Sequence, residues 1–368
     1  MGRTWSDSRC GWIALHLIPG LGNVACKKLL ERFGSPEGIF EAKGSELMSV
    51  KGVRPAVARK IAGRKFSSDP EEVLKILEKT GARLIPYGDP SYPSPLTEIH
   101  DPPFLLYAKG REIPTGLTFI AVVGSRNPTH YGSGAARELG QGLARRGVGV
   151  VSGMARGIDA AAHWGCMEGL GFTAAVIGTG IDIVYPASNR KLCEKIIQKG
   201  VVLSEFPPGT PPEPKNFPIR NRIISGLSRG VLVVEATRKS GSLITAASAL
   251  DQGRDVFAVP GSINSFKSTG CHFLIKQGAG LVENADDVLQ QLGLNFPHVP
   301  KRDTFSEPIP VPMDALEKRV YDLLGDYPLH IDQIARLGKL STAELSSVLM
   351  KMELKGMIRQ LPGKMFVR

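Results

Sequence analysis

The sequence predicts an α/β protein with a Rossmann-like, doubly wound and mainly parallel sheet at its centre, a helical N-terminal domain and a C-terminal winged helix. For the centre, short apolar runs rich in β-branched residues alternate with segments of helix length. Such runs are typical of parallel strands that helices cover on both faces. Within a central domain of residues 113–293, the predicted strands are 119–123, 148–151, 172–177, 201–203, 231–234 and 256–259, and the predicted helices are 133–146, 157–169, 188–199, 218–228 and 242–252.

The N-terminal domain, residues 1–65, is predicted to consist of short helices joined by glycine turns. The turn from Ile18 to Gly22 precedes a helix over 23–33, and the turn from Val50 to Val53 precedes a helix over 54–62. This helix-hairpin-helix (or SAM-like) pattern presents free amides and a helix N-terminus to a phosphate. We therefore expect secondary DNA contacts at Gly20, Gly22, Lys27, Lys51, Gly52 and Arg54. The alternative is a small helical bundle for protein contacts, with its cations merely solvated.

The segments that flank the central domain differ in composition. Residues 66–112 contain several prolines and are predicted to form a helix, a short strand and an extended connector, and residues 294–312 form a proline-rich linker. Residues 313–368 are expected to form helices 314–324, 330–337 and 341–355, followed by a hairpin over 357–367. The third helix opens with a Ser-x-x-Glu capping box. This order is that of a winged helix.

Charge and composition limit the possible classes of protein. The 368 residues carry 46 Lys and Arg against 35 Asp and Glu, a net charge of +11 that favours a polyanionic partner. Residues 1–65 alone hold twelve basic and five acidic side chains. No apolar run is long enough to span a bilayer, and no signal pattern opens the sequence, so we expect no membrane partner. The cysteines, expected to be buried and reduced in a cytoplasmic protein, are Cys10, Cys26, Cys166, Cys193 and Cys271.

The loops that follow the predicted strands are rich in glycine and hydroxyl side chains. In an open α/β sheet these loops form the ligand-binding crevice, and the helix N-termini there attract oxyanions. Arg126 follows the first strand, where its guanidinium could bind a phosphate or, alternatively, organise the loops through a salt bridge. Residues 215–222 combine cations with Phe217, which suits a nucleic-acid strand unless Phe217 is buried core. The expected DNA-binding residues are Gly124, Ser125, Arg126, Gly153, Arg156, Gly157, Gly180, Arg190, Lys191, Lys215, Phe217, Arg220, Asn221, Arg222, Ser240, Gly241, Ser242 and Thr245.

The spacing of candidate catalytic groups does not favour an enzyme. His163 lies four residues after Asp159, on the same helix face, but no third metal ligand accompanies them. Glu205 and Glu235 each end a strand without a nucleophile–base pair nearby. No P-loop motif occurs, and Gly178-x-Gly180 lacks the third glycine of a dinucleotide fingerprint. We expect no catalytic residue, no metal and no cofactor.

The central segment resembles the DNA-processing protein A family (DprA/Smf) over about 160 residues. The runs that carry the resemblance are 122–126, 152–159 with His163, 178–182 with Tyr185, Pro186 and Asn189, 204–205, 217–228, 234–236, 240–246, 253–261 and 270–279. The resemblance implies a cytoplasmic bacterial protein that binds and protects single-stranded DNA taken up during natural transformation. It also implies a homodimer through the Rossmann-like domain, loading of the RecA recombinase, and no catalysis. Arg126 would be the principal phosphate ligand, with Arg220 and Arg222 lining the same pocket.

One position departs from this family, and other functions remain open. Many relatives have a lysine directly after Tyr-Pro, where this sequence has Ala187, so Arg190 or Lys191 would have to replace its charge. The alternative function is a nucleotide-binding hydrolase similar to phosphoribohydrolases, although their Pro-Gly-Gly-x-Gly-Thr-x-x-Glu loop is absent. A sequence-specific repressor is disfavoured because helix 341–355 has two lysines against two glutamates. We expect that helix to bind a protein partner.

Overall fold

The structure, a computed structural model, describes residues 7–294, 313–325 and 328–368. The N-terminal helices and the central sheet form one compact unit, and the winged helix belongs to a second. The predicted linker lies outside the described residues except for Leu294. Along the described parts of the chain, no helix is long and apolar enough to cross a membrane.

The first unit begins with six helices, and two of them follow the predicted glycine turns. Gly20 and Gly52 have φ angles of 89° and 100°, which an L side chain rarely adopts, so these turns require glycine. Lys60 Nζ donates to the carbonyl of Pro19 at 2.9 Å and links the two turns. The helices are α1 Ser8–His16, α2 Asn23–Phe33, α3 Pro36–Glu41, α4 Gly44–Met48, α5 Pro55–Ala62 and α6 Pro70–Thr80.

The central sheet has nine strands in the order β1-β2-β6-β5-β4-β3-β7-β8-β9. At one edge β2 pairs antiparallel with both β1 and β6, and the pairings among β3 to β9 are parallel. The predicted Rossmann-like sheet is thus confirmed. The strands are β1 Arg83–Pro86, β2 Leu105–Gly110, β3 Phe119–Val123, β4 Gly149–Ser152, β5 Thr173–Ile177, β6 Val201–Ser204, β7 Gly230–Val233, β8 Asp255–Ala258 and β9 Gly280–Leu281.

Helices cover both faces of this sheet and enclose its apolar strands. They are α7 Ser94–Thr97, α8 His130–Arg145, α9 Ile158–Glu168, α10 Arg190–Lys199, α11 Asn216–Leu227, α12 Ser242–Asp251, α13 Thr269–Lys276 and α14 Ala285–Gln291. One core contains Ile13, Leu29 and Val57 of the N-terminal helices together with Phe104 and Tyr107 of the sheet. All five cysteines are buried and unpaired, as expected from their spacing.

Two central segments differ from the prediction. The expected extended connector contains a second strand, β2, whose residues Leu105 to Ala108 are buried between β1 and β6. Prolines on both sides obscured this short strand in the sequence. Helix α11 begins at Asn216, two residues before the predicted start, so Phe217 lies in its first turn.

The C-terminal unit has the predicted winged-helix order. Its elements are α15 Ala315–Leu323, β10 Leu329–His330, α16 Ile331–Gly338, α17 Thr342–Leu354, β11 Arg359–Leu361 and β12 Met365–Val367. The three strands form one antiparallel sheet. The capping box is present, since Ser341 Oγ accepts from the Glu344 amide at 3.3 Å and Glu344 Oε2 accepts from the Ser341 amide at 3.0 Å. Lys355 pairs with buried Glu317 at 2.6 Å, and among the described residues Lys351 of the predicted helix has no ion pair.

Candidate functional site

A cleft of about 530 Å³ opens at the carboxyl edge of the parallel strands. Helices α9, α11 and α12 begin there, so the positive ends of three helix dipoles face the cleft. Nine predicted DNA-binding residues line it, namely Gly124, Arg126, Phe217, Arg220, Asn221, Ser240, Gly241, Ser242 and Thr245. The other lining residues include Ala155, Asp159, Tyr185 and Ile244.

Arg126 is the exposed cation of this cleft. Its guanidinium carbon lies 5.1 Å from the centroid of the Phe217 ring. Among the ion pairs of the described residues none includes Arg126, so the salt-bridge alternative has no carboxylate partner there. A guanidinium that is stacked on a ring and keeps its N–H groups in solvent is available to bind a phosphate through a forked hydrogen bond.

Two aromatic side chains lie next to this guanidinium. Phe217 is partly buried, and Tyr185 is 41% exposed with its ring centroid 5.8 Å from that of Phe217. Because Arg126 contacts the Phe217 ring, the exposed aromatic surface belongs mainly to Tyr185. Tyr185 is not among the DNA-binding residues that the sequence predicts. The available signal was an aromatic residue shortly after the loop at the end of β5.

Hydroxyl groups at the start of α12 form another part of the cleft lining. Ser240 Oγ and Ser242 Oγ are 2.9 Å apart, and Thr245 is buried on the next turn. Gly241 is exposed, and a Cβ built on it would meet nothing within 4 Å. The hydroxyls and the helix N-terminus provide neutral donors for an oxyanion.

The loop after β4 is organised by a buried carboxylate. Asp159 Oδ2 accepts from the amides of Gly153 at 3.1 Å and Ala155 at 3.3 Å. Burial raises the pKa of Asp159, although these amides and the charges of Arg220 and Arg126 oppose that shift. Asp159 therefore shapes the loop backbone. A neighbouring side chain, Asn189, donates to the carbonyl of Met154 at 2.9 Å.

Arg220 lines the cleft, but as a buried side chain. It is only 4% exposed, and its Nη1 donates to the carbonyl of Val176 in β5. Burial lowers its pKa to about 10, and the charge of Arg126 contributes to this shift. Its guanidinium lies against Gly153, because a Cβ on that glycine would be 2.6 Å from Cζ.

Arg222 lies outside the cleft lining, contrary to the expectation that it shares the pocket. Its Nη2 pairs with Glu205, and its Nη1 donates to the carbonyl of Asp101. The two side chains are 15% and 8% exposed, so this pair is largely buried. The physical reason is helical periodicity: residues two positions apart on a helix point in nearly opposite directions.

The remaining predicted residues lie around the cleft or support it. Arg156, Arg190 and Lys191 are exposed, and exposed Lys215 pairs with Glu213 at 2.7 Å. Ser125 donates its amide to Glu235, Gly157 caps α9, and Gly180 packs tightly against Gly209. Neither Arg190 nor Lys191 lines the cleft. Among the described residues, these two cations therefore do not bring to the cleft lining the charge that is missing at Ala187.

The predicted secondary DNA contacts of the N-terminal domain include both exposed cations and side chains that contact other residues. Lys51 and Arg54 are exposed beside the turn that contains Gly52. Lys27 instead places its ammonium 4.8 Å from the Tyr87 ring centroid. Asn23, directly after Gly20 and Gly22, donates to Glu205 at 2.8 Å. The glycines of both turns are exposed, and the second turn also has two exposed cations beside it.

His163 is buried and contacts Thr173, outside the cleft lining. Its Nδ1 contacts Thr173 Oγ1 at 2.7 Å, and burial lowers its pKa to about 3. Thr173 Oγ1 donates to the Val150 carbonyl, so His163 Nδ1 is the donor to that hydroxyl. The described residues contain no group of three side chains that could hold a metal ion.

Fold and site define a Rossmann-like protein whose cleft is lined by cationic, aromatic and hydroxyl side chains. The family profile described as DNA recombination-mediator protein A matches residues 83–293, more than half of the chain. A second profile, the DprA winged helix domain, matches residues 306–364. The chain belongs to this DprA/Smf family.

Individual relatives support this assignment. Protein Smf from Synechocystis sp. is 36% identical over 389 aligned residues, which cover 97% of this chain and 98% of the relative. DNA processing protein DprA from Streptococcus pneumoniae is 44% identical over 273 residues, covering 74% and 94%. The solved structure of S. pneumoniae DprA matches with a TM-score of 0.69 at 40% identity, over 81% of this chain and all of that one. Helicobacter pylori DNA processing protein A matches with a TM-score of 0.51 at 29% identity, over 57% and 95%.

Proposed function

We propose that this protein binds single-stranded DNA in the cleft and acts as a DNA-processing protein in natural transformation. The observation that carries the proposal is Arg126, an exposed guanidinium without a carboxylate partner in the described chain, at the mouth of a cleft lined by helix N-termini. The H. pylori relative's structure is described in terms of a single-stranded DNA binding mode. Phosphates would contact Arg126 and the hydroxyls of α12, while bases would contact Tyr185.

The family resemblance extends the proposal to partners. The protein would protect incoming DNA in the cytoplasm, form a homodimer through the Rossmann-like domain and help load RecA. It would do so without catalysing a reaction.

Binding to oligonucleotides of equal length, measured by fluorescence anisotropy at several salt concentrations, tests the proposal. A single strand should bind more tightly than a duplex, since the cleft receives phosphates one at a time and the described part of α17 carries little net charge. Equal affinity for both at physiological salt would contradict this.

The decisive variant is Arg126→Ala. Loss of a charge-assisted fork should cost about 1.5–3 kcal/mol, or roughly 10- to 150-fold in affinity. The salt slope should fall by about 0.7 for a lost single-strand phosphate contact. Arg229→Ala is the matched control because Arg229 is an exposed cation at the amino end of β7, at the opposite edge of the sheet. If folded Arg126→Ala binds within twofold of the parent, the cleft is not the DNA site.

A further inference from the structure

Two buried charged groups contact the loop over 153–157. The guanidinium of Arg220 lies against Gly153, and the carboxylate of Asp159 accepts from amides of the loop. Arg220 fills the space on the side of Gly153 where a side chain would lie, and it is held from below by Val176. Asp159 holds the same loop through the Gly153 and Ala155 amides. The loop backbone is therefore enclosed between a buried cation and a buried anion.

Arg220 is poorly placed to bind DNA itself. It is 4% exposed, one of its Nη atoms is used by the Val176 carbonyl, and its Nε is buried without a partner. Arg220 lines the cleft, but with Nη1 on the Val176 carbonyl and Nε buried it offers a phosphate little of its guanidinium. Arg126, in contrast, is exposed at the mouth.

We propose that Arg220 is a positioning residue, which together with Asp159 holds the 153–157 loop in the shape that receives a phosphate. This inference rests on the proposed function for its ligand, but its structural part does not. The loop includes Met154 at a φ of 54°, a conformation that a non-glycine residue rarely adopts and that needs support from its surroundings. Loss of Arg220 should weaken DNA binding through the loop and not through a lost phosphate contact.

The first test separates positioning from direct contact. Arg220→Gln, and the milder Arg220→Lys that keeps a charge near Asp159, should lower single-strand affinity by roughly tenfold and about threefold, while the salt slope stays that of the parent. Arg126→Ala should lower both affinity and slope. A drop in slope of about 0.7 for Arg220→Gln would make Arg220 a phosphate ligand and overturn the proposal.

The second test does not depend on DNA. Hydrogen exchange of the Gly153 and Ala155 amides should accelerate at least tenfold in Arg220→Gln and in Arg220→Lys, while exchange in the β3 and β4 strands is unchanged. Unchanged loop exchange in a folded variant would contradict the positioning role. If the parent binds no single strand but loop exchange accelerates, the proposed function fails and the positioning role stands.

A double-mutant cycle between Gly153 and Arg220 tests whether their contact is what positions the loop. Gly153 does not have a positive φ, so Gly153→Ala should act only through its overlap with Arg220. Alone, the substitution should accelerate loop exchange and weaken binding. In the Arg220→Ala background, where the overlap is gone, it should add less than twofold to either effect. Additive effects in the double variant would show that the contact between Gly153 and Arg220 does not position the loop, and would contradict the proposal.

Discussion

Asn23 donates its side-chain amide to Glu205 Oε1 at 2.8 Å, which joins the first residue of α2 to the carboxyl end of β6. The same carboxylate pairs with Arg222 of α11, and Asn23 Oδ1 accepts from the Phe104 amide at 3.2 Å. The N-terminal helices are thus held against the central sheet by a largely buried polar network as well as by a shared apolar core.

This network predicts different consequences for two arginines on α11. Arg222→Ala should reduce the free energy of unfolding by about 3–5 kcal/mol because it leaves the Glu205 carboxylate buried without its cation. Its affinity for single-stranded DNA should stay within about twofold of the parent, because Arg222 does not line the cleft. Urea unfolding and anisotropy measure the two quantities. Arg137→Ala, which breaks an exposed pair with Glu168, is the control and should cost about 0–1 kcal/mol.

The exposed cations of the second glycine turn should contribute to DNA affinity. In the double variant Lys51→Ala/Arg54→Ala, the salt slope should fall by about 1.4, since two single-strand phosphate contacts would be lost. The preference for single-stranded over duplex DNA should remain. The double variant Lys75→Ala/Lys79→Ala removes the same charge from α6 and should leave the slope unchanged. An equal slope in both double variants would favour protein contacts for the helical hairpins.

Tyr185 should stack on a base. Tyr185→Ala should weaken single-strand binding by roughly 5- to 150-fold, corresponding to the loss of one base–aromatic contact of about 1–3 kcal/mol. Tyr185→Phe keeps the ring and should bind like the parent. With an oligonucleotide that lacks bases, Tyr185→Ala and the parent should have similar affinities. A large difference on that abasic strand would assign Tyr185 to the phosphate backbone instead.

His163 should make stability depend on pH. Its folded pKa of about 3 lies below the ordinary value of 6.5, so the unfolded chain binds a proton that the folded chain does not. Stability is therefore lost as pH falls below 6.5, by about 2 kcal/mol between pH 7 and pH 5. Urea unfolding of the parent and of His163→Gln at both pH values measures this contribution, which the variant should lack.

Most of the fold could be predicted because its signals are local. The apolar runs at 119–123 and 201–203 are continuous and β-branched, and they became β3 and β6 within a residue at each end. β2 could not be recognised in the same way, because prolines on both sides of its short apolar run indicate an extended connector.

The site could be predicted only in part. Arg126, Phe217 and the hydroxyls at 240–245 face the cleft because each lies directly after a strand or at a helix start, positions that sequence order alone indicates. The resemblance implies that Arg220 and Arg222 share one pocket, although the predicted helix over 218–228 contains both. Residues two positions apart on a helix point in nearly opposite directions, so Arg220 lines the cleft and Arg222 does not.

The sequence by itself determined the order of strands and helices, the glycine turns and the loops in which a ligand could bind. Hydrophobic periodicity and turn chemistry are properties of neighbouring residues, so they can be recognised without the fold. Only the tertiary structure decided which cations remain free. Arg126 has no carboxylate partner among the described residues, Arg220 lies beneath Gly153, and Arg222 is paired with Glu205. Whether an arginine binds a ligand depends on the burial and the partners that distant segments bring to it.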